Sequence, residues 1–170
     1  VLIYGASGGV GTFAVQIAKS FGAEVTGVCS TRNVEILRSI GADHIIDYTE
    51  EDLAQHKERY DLVLGVNGSN SISAYKRVLK LNGKFVHVGG SESQLYQTLF
   101  LGPFISLTGS KKISSLLQRA NQKDLNDVKE LLEIGKVKPI IDKRFKLSEI
   151  TEAFKYFQEG HAQGKVVITL

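Results

Sequence analysis

The chain has 170 residues, 42% hydrophobic and 23% charged, the proportions of a globular domain with enough apolar content for a sizeable core. Its net charge of +3 does not by itself indicate a nucleic-acid or membrane-surface partner. Its single cysteine, Cys29, excludes an internal disulfide and any multi-cysteine zinc site. No apolar run reaches the roughly 18 residues that a membrane span needs.

Residues 1–4 form a short apolar run that leads into a glycine-rich turn over residues 5–11. Apolar residues then recur at Val10, Phe13, Ala14, Ile17, Ala18 and Phe21, a helical stripe closed by Gly22. Residues 25–29 read as a second buried strand, and a second helix runs from Asn33 to its stop at Gly41. Residues 44–48 predict a third strand, residues 50–59 a polar surface helix, and residues 62–66 a fourth strand. A helix over residues 71–80, a turn at Gly83 and a fifth strand over residues 84–88 follow. This alternation predicts an α/β fold with a Rossmann-type doubly wound parallel sheet.

Residues 91–102 read as irregular and residues 104–109 as a sixth strand. Asp124 reads as the cap of a helix through Ile134, with Leu125, Val128, Leu131 and Leu132 on one face. The rhythm changes after Lys136: residues 138–145 are extended, 148–158 helical and 165–170 a strand. The expected division is a dinucleotide-binding domain over residues 1–136 and a separate segment over residues 137–170.

Gly5, Gly8 and Gly11 fall three residues apart, after a strand and before a helix. A phosphate-binding turn needs glycines for the sharp bend, for backbone approach to a pyrophosphate and for close helix–strand packing. The free N–H groups of the helix's first turn then face the anion, helped by the helix dipole. A nucleoside-triphosphate loop is excluded, because no Gly-Lys pair is followed by Ser or Thr. Short-chain dehydrogenases are excluded too, because none of the six tyrosines has the required lysine four residues on.

An NAD-selective site carries an acid at the end of its second strand to hold the ribose hydroxyls. Here that segment contains Ser30, Thr31, Arg32 and Asn33 and no acid. Hydroxyl and amide donors beside a guanidinium suit a 2′-phosphate, so the expected cofactor is NADPH.

The runs Ala6-Ser7-Gly8-Gly9-Val10-Gly11, Ser30-Thr31-Arg32-Asn33, Gly41-Ala42-Asp43 and Ile46-Asp47-Tyr48 carry a family likeness. So do Phe85-Val86-His87-Val88-Gly89-Gly90, the stretch from Gly135 to Asp142 and the ending Glu159-Gly160-His161-Ala162-Gln163-Gly164-Lys165-Val166-Val167. Together they resemble the zinc-independent quinone oxidoreductase branch of the medium-chain dehydrogenase/reductase superfamily. The resemblance implies that Ser7, Gly8, Gly9, Val10 and Gly11 hold the pyrophosphate. It implies that Ser30, Arg32 and Asn33 surround the 2′-phosphate, with Tyr48 beside it or the adenosine. Val88, Gly89 and Gly90 would pass under the ribose and nicotinamide, and residues 109–111 would touch the nicotinamide end. One departure stands out: Gly65-Val66-Asn67-Gly68 replaces a segment in which the family often carries an acid at the first position.

The resemblance further implies hydride transfer from NADPH to a quinone or an α,β-unsaturated carbonyl, without zinc. It implies a homodimer joined through the sixth-strand edge, with no nucleic-acid partner and no membrane span. Family members are about twice this length, and the chain opens on a strand without an initiator methionine. The expectation is therefore a fragment whose amino-terminal, GroES-like catalytic domain is absent, with residues 137–170 as the part that returns to it. No catalytic residue is assigned to this chain. The expected location is the cytoplasm, with an organelle as the alternative. A non-catalytic, redox-sensing NADPH module and a zinc-type alcohol dehydrogenase are the competing functions.

Several residues read more simply as structural. The four histidines lack metal-ligand spacing. His87 reads as a hydrogen-bonded core residue, His161 as part of a turn, Cys29 as a small buried side chain, and Lys111 and Lys112 as a solvated face.

Overall fold

β1 (Leu2–Tyr4) is apolar and buried along its whole length, and it runs through the middle of a six-stranded parallel sheet. The computed structural model describes residues 1–68, 70–90, 92–116, 119–160 and 162–170, the side chains of residues 90, 92–94, 101, 104, 105 and 108 excepted. The other strands are β2 (Thr26–Cys29), β3 (His44–Asp47), β4 (Tyr60–Gly68), β5 (Leu79–Gly90) and β6 (Lys112–Ser115). Their spatial order is β3-β2-β1-β4-β5-β6, and all neighbours run parallel. The order reverses between β1 and β4. A sheet of this kind binds ligands at that reversal, outside the carboxyl ends of the strands.

Helices cover both faces, and the alternation of side chains along β1 shows why. Ile3 joins a core with Val15 of α1 (Gly11–Ser20) and Leu37 of α2 (Val34–Ser39). Leu2 and Tyr4 point the other way, into a core with Ile72 and Tyr75 of α3 (Ile72–Arg77), Phe85 and Ile113. Each fully buried apolar side chain of this kind contributes about 1.5–3 kcal/mol. This is the doubly wound sheet that the strand–helix rhythm predicts.

The structure departs from the sequence reading in four places. Residues 50–59 hold only a single 3-10 turn, Leu53–Gln55, rather than a surface helix. The helix expected to reach Lys80 stops at Arg77, because Leu79 already pairs with Tyr60 as the start of β5. Residues 104–109 are not the sixth strand: α4 (Glu92–Thr108) absorbs all of them but Gly109, and most of the stretch read as irregular. This helix is apolar on all sides and contains Pro103, so neither period nor breaker marks it as a helix. β6 begins four residues after α4 ends and takes the edge position. Finally, Asn121 caps α5 (Gln122–Glu133), its Oδ1 accepting from the Asp124 N–H at 2.8 Å. Asp124 lies inside the first turn instead. Leu125 and Leu132 on that helix are exposed.

β7 (Ile141–Lys146), α6 (Ile150–Gln158) and β8 (Lys165–Thr169) build a second, two-stranded parallel sheet with its own crossover helix. Gln16 of α1 ties this part on with a backbone-like pair of bonds. Its Nε2 donates to the Lys138 carbonyl at 3.0 Å and its Oε1 accepts the Lys138 N–H at 2.8 Å. Phe154 and Phe157 on α6 and Ile168 on β8 line an exposed apolar groove of about 150 Å³.

Candidate functional site

The turn between β1 and α1 sits at the reversal of strand order. Gly5 has φ +74°, and a Cβ there would overlap the carbonyl oxygen of Val66 in β4. A Cβ on Gly11 would in turn overlap the Gly5 carbonyl, so both glycines are required by close backbone approach. The Gly8 N–H donates to the Gly5 carbonyl at 3.2 Å, and Thr12 N–H to the Gly8 carbonyl at 3.0 Å. α1 starts with no capping side chain, Val10 standing half-exposed at its cap position, and no acid in its first turn. The first N–H groups of a helix have no partner within it. An uncapped helix end above a glycine cradle is arranged to receive an anion.

The segment after β2 folds back against this turn. Ser30 is extended, and residues Thr31–Asn33 make one 3-10 turn before α2. Asn33 is buried, and its Nδ2 donates to Ser7 Oγ at 3.0 Å and to Ser30 Oγ at 3.1 Å. Its Oδ1 accepts from Gln163 Nε2 at 2.6 Å. Ser7, Ser30 and Asn33, all expected at the site, are therefore one hydrogen-bonded group. Both amide hydrogens of Asn33 are spent on that group, so Asn33 positions the two serines. Arg32 is exposed on the same 3-10 turn, and its charge acts on the Tyr156 phenol of α6.

Tyr48 stands half-exposed over the end of β1, stacked on Tyr4 with ring centroids 6.3 Å apart. Tyr4 meets Tyr75 edge-on at 5.8 Å, and Tyr75 stacks on Phe85 at 4.5 Å, a continuous aromatic row beneath the turn. That row accounts for Gly65: a Cβ there would press into the Phe85 ring at 2.9 Å. Val88, Gly89 and Gly90 end β5 at the same edge of the sheet, two strands from β1; Val88 packs on the α1 side and Gly89 has φ +68°.

Sequence reasoning found no acid at the end of the second strand, yet the neighbouring strand brings one close. Asp47, paired in register with Cys29, is hydrogen-bonded by Thr31 and Thr49, which hold its carboxyl below the usual carboxylate range. The scan of β2 alone could not find it. Gln163 and Lys165 were quoted in the chain's ending but given no role, and both lie at the turn. The Gly164 N–H between them donates to the Ser7 carbonyl at 2.9 Å.

The remaining residues divide. Cys29 is buried, and burial, helped by Asp47, pushes its thiol up to about 11. His87 is buried and burial lowers its pKa, but its Nε2 finds no hydrogen-bond partner among the described residues. Lys111 is not simply solvated: its Nζ donates to the Lys76 carbonyl at 2.7 Å. His161 lies outside the described residues. Among the described residues no three His, Cys, Asp or Glu side chains gather as a metal set, and no helix is long and apolar enough to cross a membrane.

A sequence profile described as zinc-binding dehydrogenase matches residues 40–168. The chain is similar to the NAD(P)H oxidoreductase RTN4IP1, mitochondrial, of Mus musculus, at 35% identity over 195 residues, covering 99% of this chain and 47% of that protein. It is similar to the quinone-oxidoreductase QR1, chloroplastic, of Triphysaria versicolor, at 35% identity over 173 residues, covering 99% and 51%. The solved structure of the quinone oxidoreductase from Coxiella burnetii matches with a TM-score of 0.84 at 29% identity, covering 99% of this chain and 52% of that one. The chain spans about half the length of the curated relatives it matches. Their names correct the expected cytoplasmic location, since they are mitochondrial and chloroplastic. The expectation rested on composition and fold, and neither carries an address.

Proposed function

We propose, given that the chain belongs to the zinc-independent quinone oxidoreductase branch of the medium-chain dehydrogenase/reductase superfamily, that residues 1–136 bind NADPH. Residues 137–170 would then be the part that belongs with a substrate domain. The activity is hydride transfer to a quinone or an α,β-unsaturated carbonyl, without zinc. The observation that carries the reading is the glycine cradle under the uncapped end of α1, with Ser30 and Arg32 beside it.

NADPH supplies the hydride, and the protein holds and orients it. Ser7, Gly8, Gly9, Val10 and Gly11 wrap the pyrophosphate, with the backbone N–H groups of Gly9, Val10 and Gly11 turned to it while that of Gly8 holds the turn through the Gly5 carbonyl. Ser30 and Arg32 receive the 2′-phosphate, Asn33 fixes the serine hydroxyls, and Tyr48 lies against the adenosine. Val88, Gly89 and Gly90 let the backbone pass close under the ribose and nicotinamide. A homodimer through the outer edge of β6 completes the proposal.

Calorimetric titration with NADPH and, separately, NADH tests it. NADPH should bind at least about tenfold tighter, the worth of one charge-assisted hydrogen bond of about 1.5 kcal/mol. Equal affinities would remove the 2′-phosphate pocket. Binding of neither would leave the glycine turn a structural device only.

A further inference from the structure

Lys165 opens β8 with its side chain laid along the first turn of α1. Its Nζ lies 3.2 Å, and its Cδ 3.3 Å, from where a Cβ on Gly9 would stand. The same ammonium is 5.6 Å from the centre of the Phe13 ring, one helical turn further along α1. The backbone holds it there from both sides. The Lys165 N–H donates to the Ile140 carbonyl at 2.8 Å, and the Gly164 N–H to the Ser7 carbonyl at 2.9 Å.

Lys165 is exposed, and its ammonium faces the Phe13 ring but gains nothing from the helix end itself. The amino end of a helix carries a partial positive charge, and lysines are favoured at the other end, where α1 has Lys19. The first turn of α1 carries no acid to neutralise the ammonium. Among the described residues no carboxylate pairs with Lys165 either. One anion between the ammonium and the helix end would satisfy both.

We propose that Lys165 is a second cationic contact for the dinucleotide's pyrophosphate, closing from the C-terminal sheet the anion site that α1 opens from below. The inference rests on the dinucleotide reading and deepens it. It also separates two roles: Arg32 acts on the 2′-phosphate that only NADPH carries, whereas Lys165 acts on the diphosphate common to NADPH and NADH.

The experiment is calorimetric titration of the purified protein and its Lys165→Met, Lys165→Arg and Arg32→Ala variants with both dinucleotides. Lys165→Met should weaken NADPH and NADH by the same factor, about tenfold, with the ratio between them unchanged. Lys165→Arg should restore most of the affinity, and Arg32→Ala should change only the ratio. Thermal unfolding without ligand should be no lower for Lys165→Met than for wild type, with Lys165→Gln as the second neutral variant. Unchanged affinity in the neutral variants, or loss for NADPH alone, would overturn the role of Lys165 while leaving the site intact. If the wild-type protein binds neither dinucleotide, the reading of the site falls and this role falls with it.

Discussion

The side-chain amide of Gln163 donates to the carboxamide oxygen of Asn33 at 2.6 Å, across 130 residues of chain. Through Asn33 that bond reaches Ser7 in the glycine turn and Ser30 at the end of β2. One buried carboxamide thus joins three distant segments. Replacing it by Ala removes three hydrogen bonds to half-buried partners, each worth about 0.5–1.5 kcal/mol. Asn33→Ala should therefore lose about 2–3 kcal/mol in urea denaturation. A loss within experimental scatter would show that the three segments hold together without it.

Two glycines with nearly the same backbone angle should respond very differently to alanine. Gly5 has φ +74° and Gly22 φ +76°, but only Gly5 faces the Val66 carbonyl; around Gly22 there is open space. Gly22→Ala should cost about 1 kcal/mol of left-handed strain. Gly5→Ala adds a backbone overlap and should cost at least about 3 kcal/mol or prevent folding. Equal melting temperatures for the two variants would contradict the close approach of β4 to the turn.

Cys29 makes stability depend on alkaline pH. Its thiol is pushed up to about 11 in the folded protein, so the native state keeps a proton that the unfolded chain releases near its ordinary value. The unfolded state binds fewer protons across that interval, so stability should fall as pH rises from about 9 to about 11. Urea midpoints measured across that range should fall less steeply for Cys29→Ala than for wild type. Parallel slopes would mean that the thiol ionises alike in both states. Tyr60, pushed up to about 12 mainly by burial, adds a similar decline from about pH 10 upward, equally in both proteins.

β6 pairs with β5 on one side, and no strand covers its other side among the described residues. An uncovered edge is a template for another strand. Sedimentation velocity at micromolar concentration should show a species of twice the chain mass. Monomer alone would remove the edge-to-edge dimer.

The glycine turn was legible because its logic is local: the strand, the three glycines and the helix follow one another in sequence. The segment Ser30, Arg32 and Asn33 was legible for the same reason, as the next strand end in order. What stayed hidden was carried by tertiary neighbours. Nothing near Gln163 or Lys165 in sequence says that residue 7 lies beside them, and Asp47 reaches Thr31 only because β3 pairs with β2. That Asn33 spends its amide on Ser7, Ser30 and Gln163 was hidden too, since its hydrogen-bond partners could not be counted from the sequence. α4 failed for a different reason. A helix with apolar residues all round has no 3.6-residue stripe, and the strand expected at residues 104–109 was an apolar run read without its period.

The contact between Gly164 and Ser7 also bears on how the protein is made. The glycine turn leaves the ribosome well before the segment that seals it, which emerges only after the entire six-stranded sheet. Until then the Ser7 carbonyl and the Asn33 carboxamide oxygen face water, and the end of α1 is open on the side that Lys165 later fills. The nascent chain can therefore assemble its sheet while its glycine turn is still unfinished. The contacts of Gly164 and Gln163 close the turn only after that sheet has formed, an order set by contacts of long sequence separation.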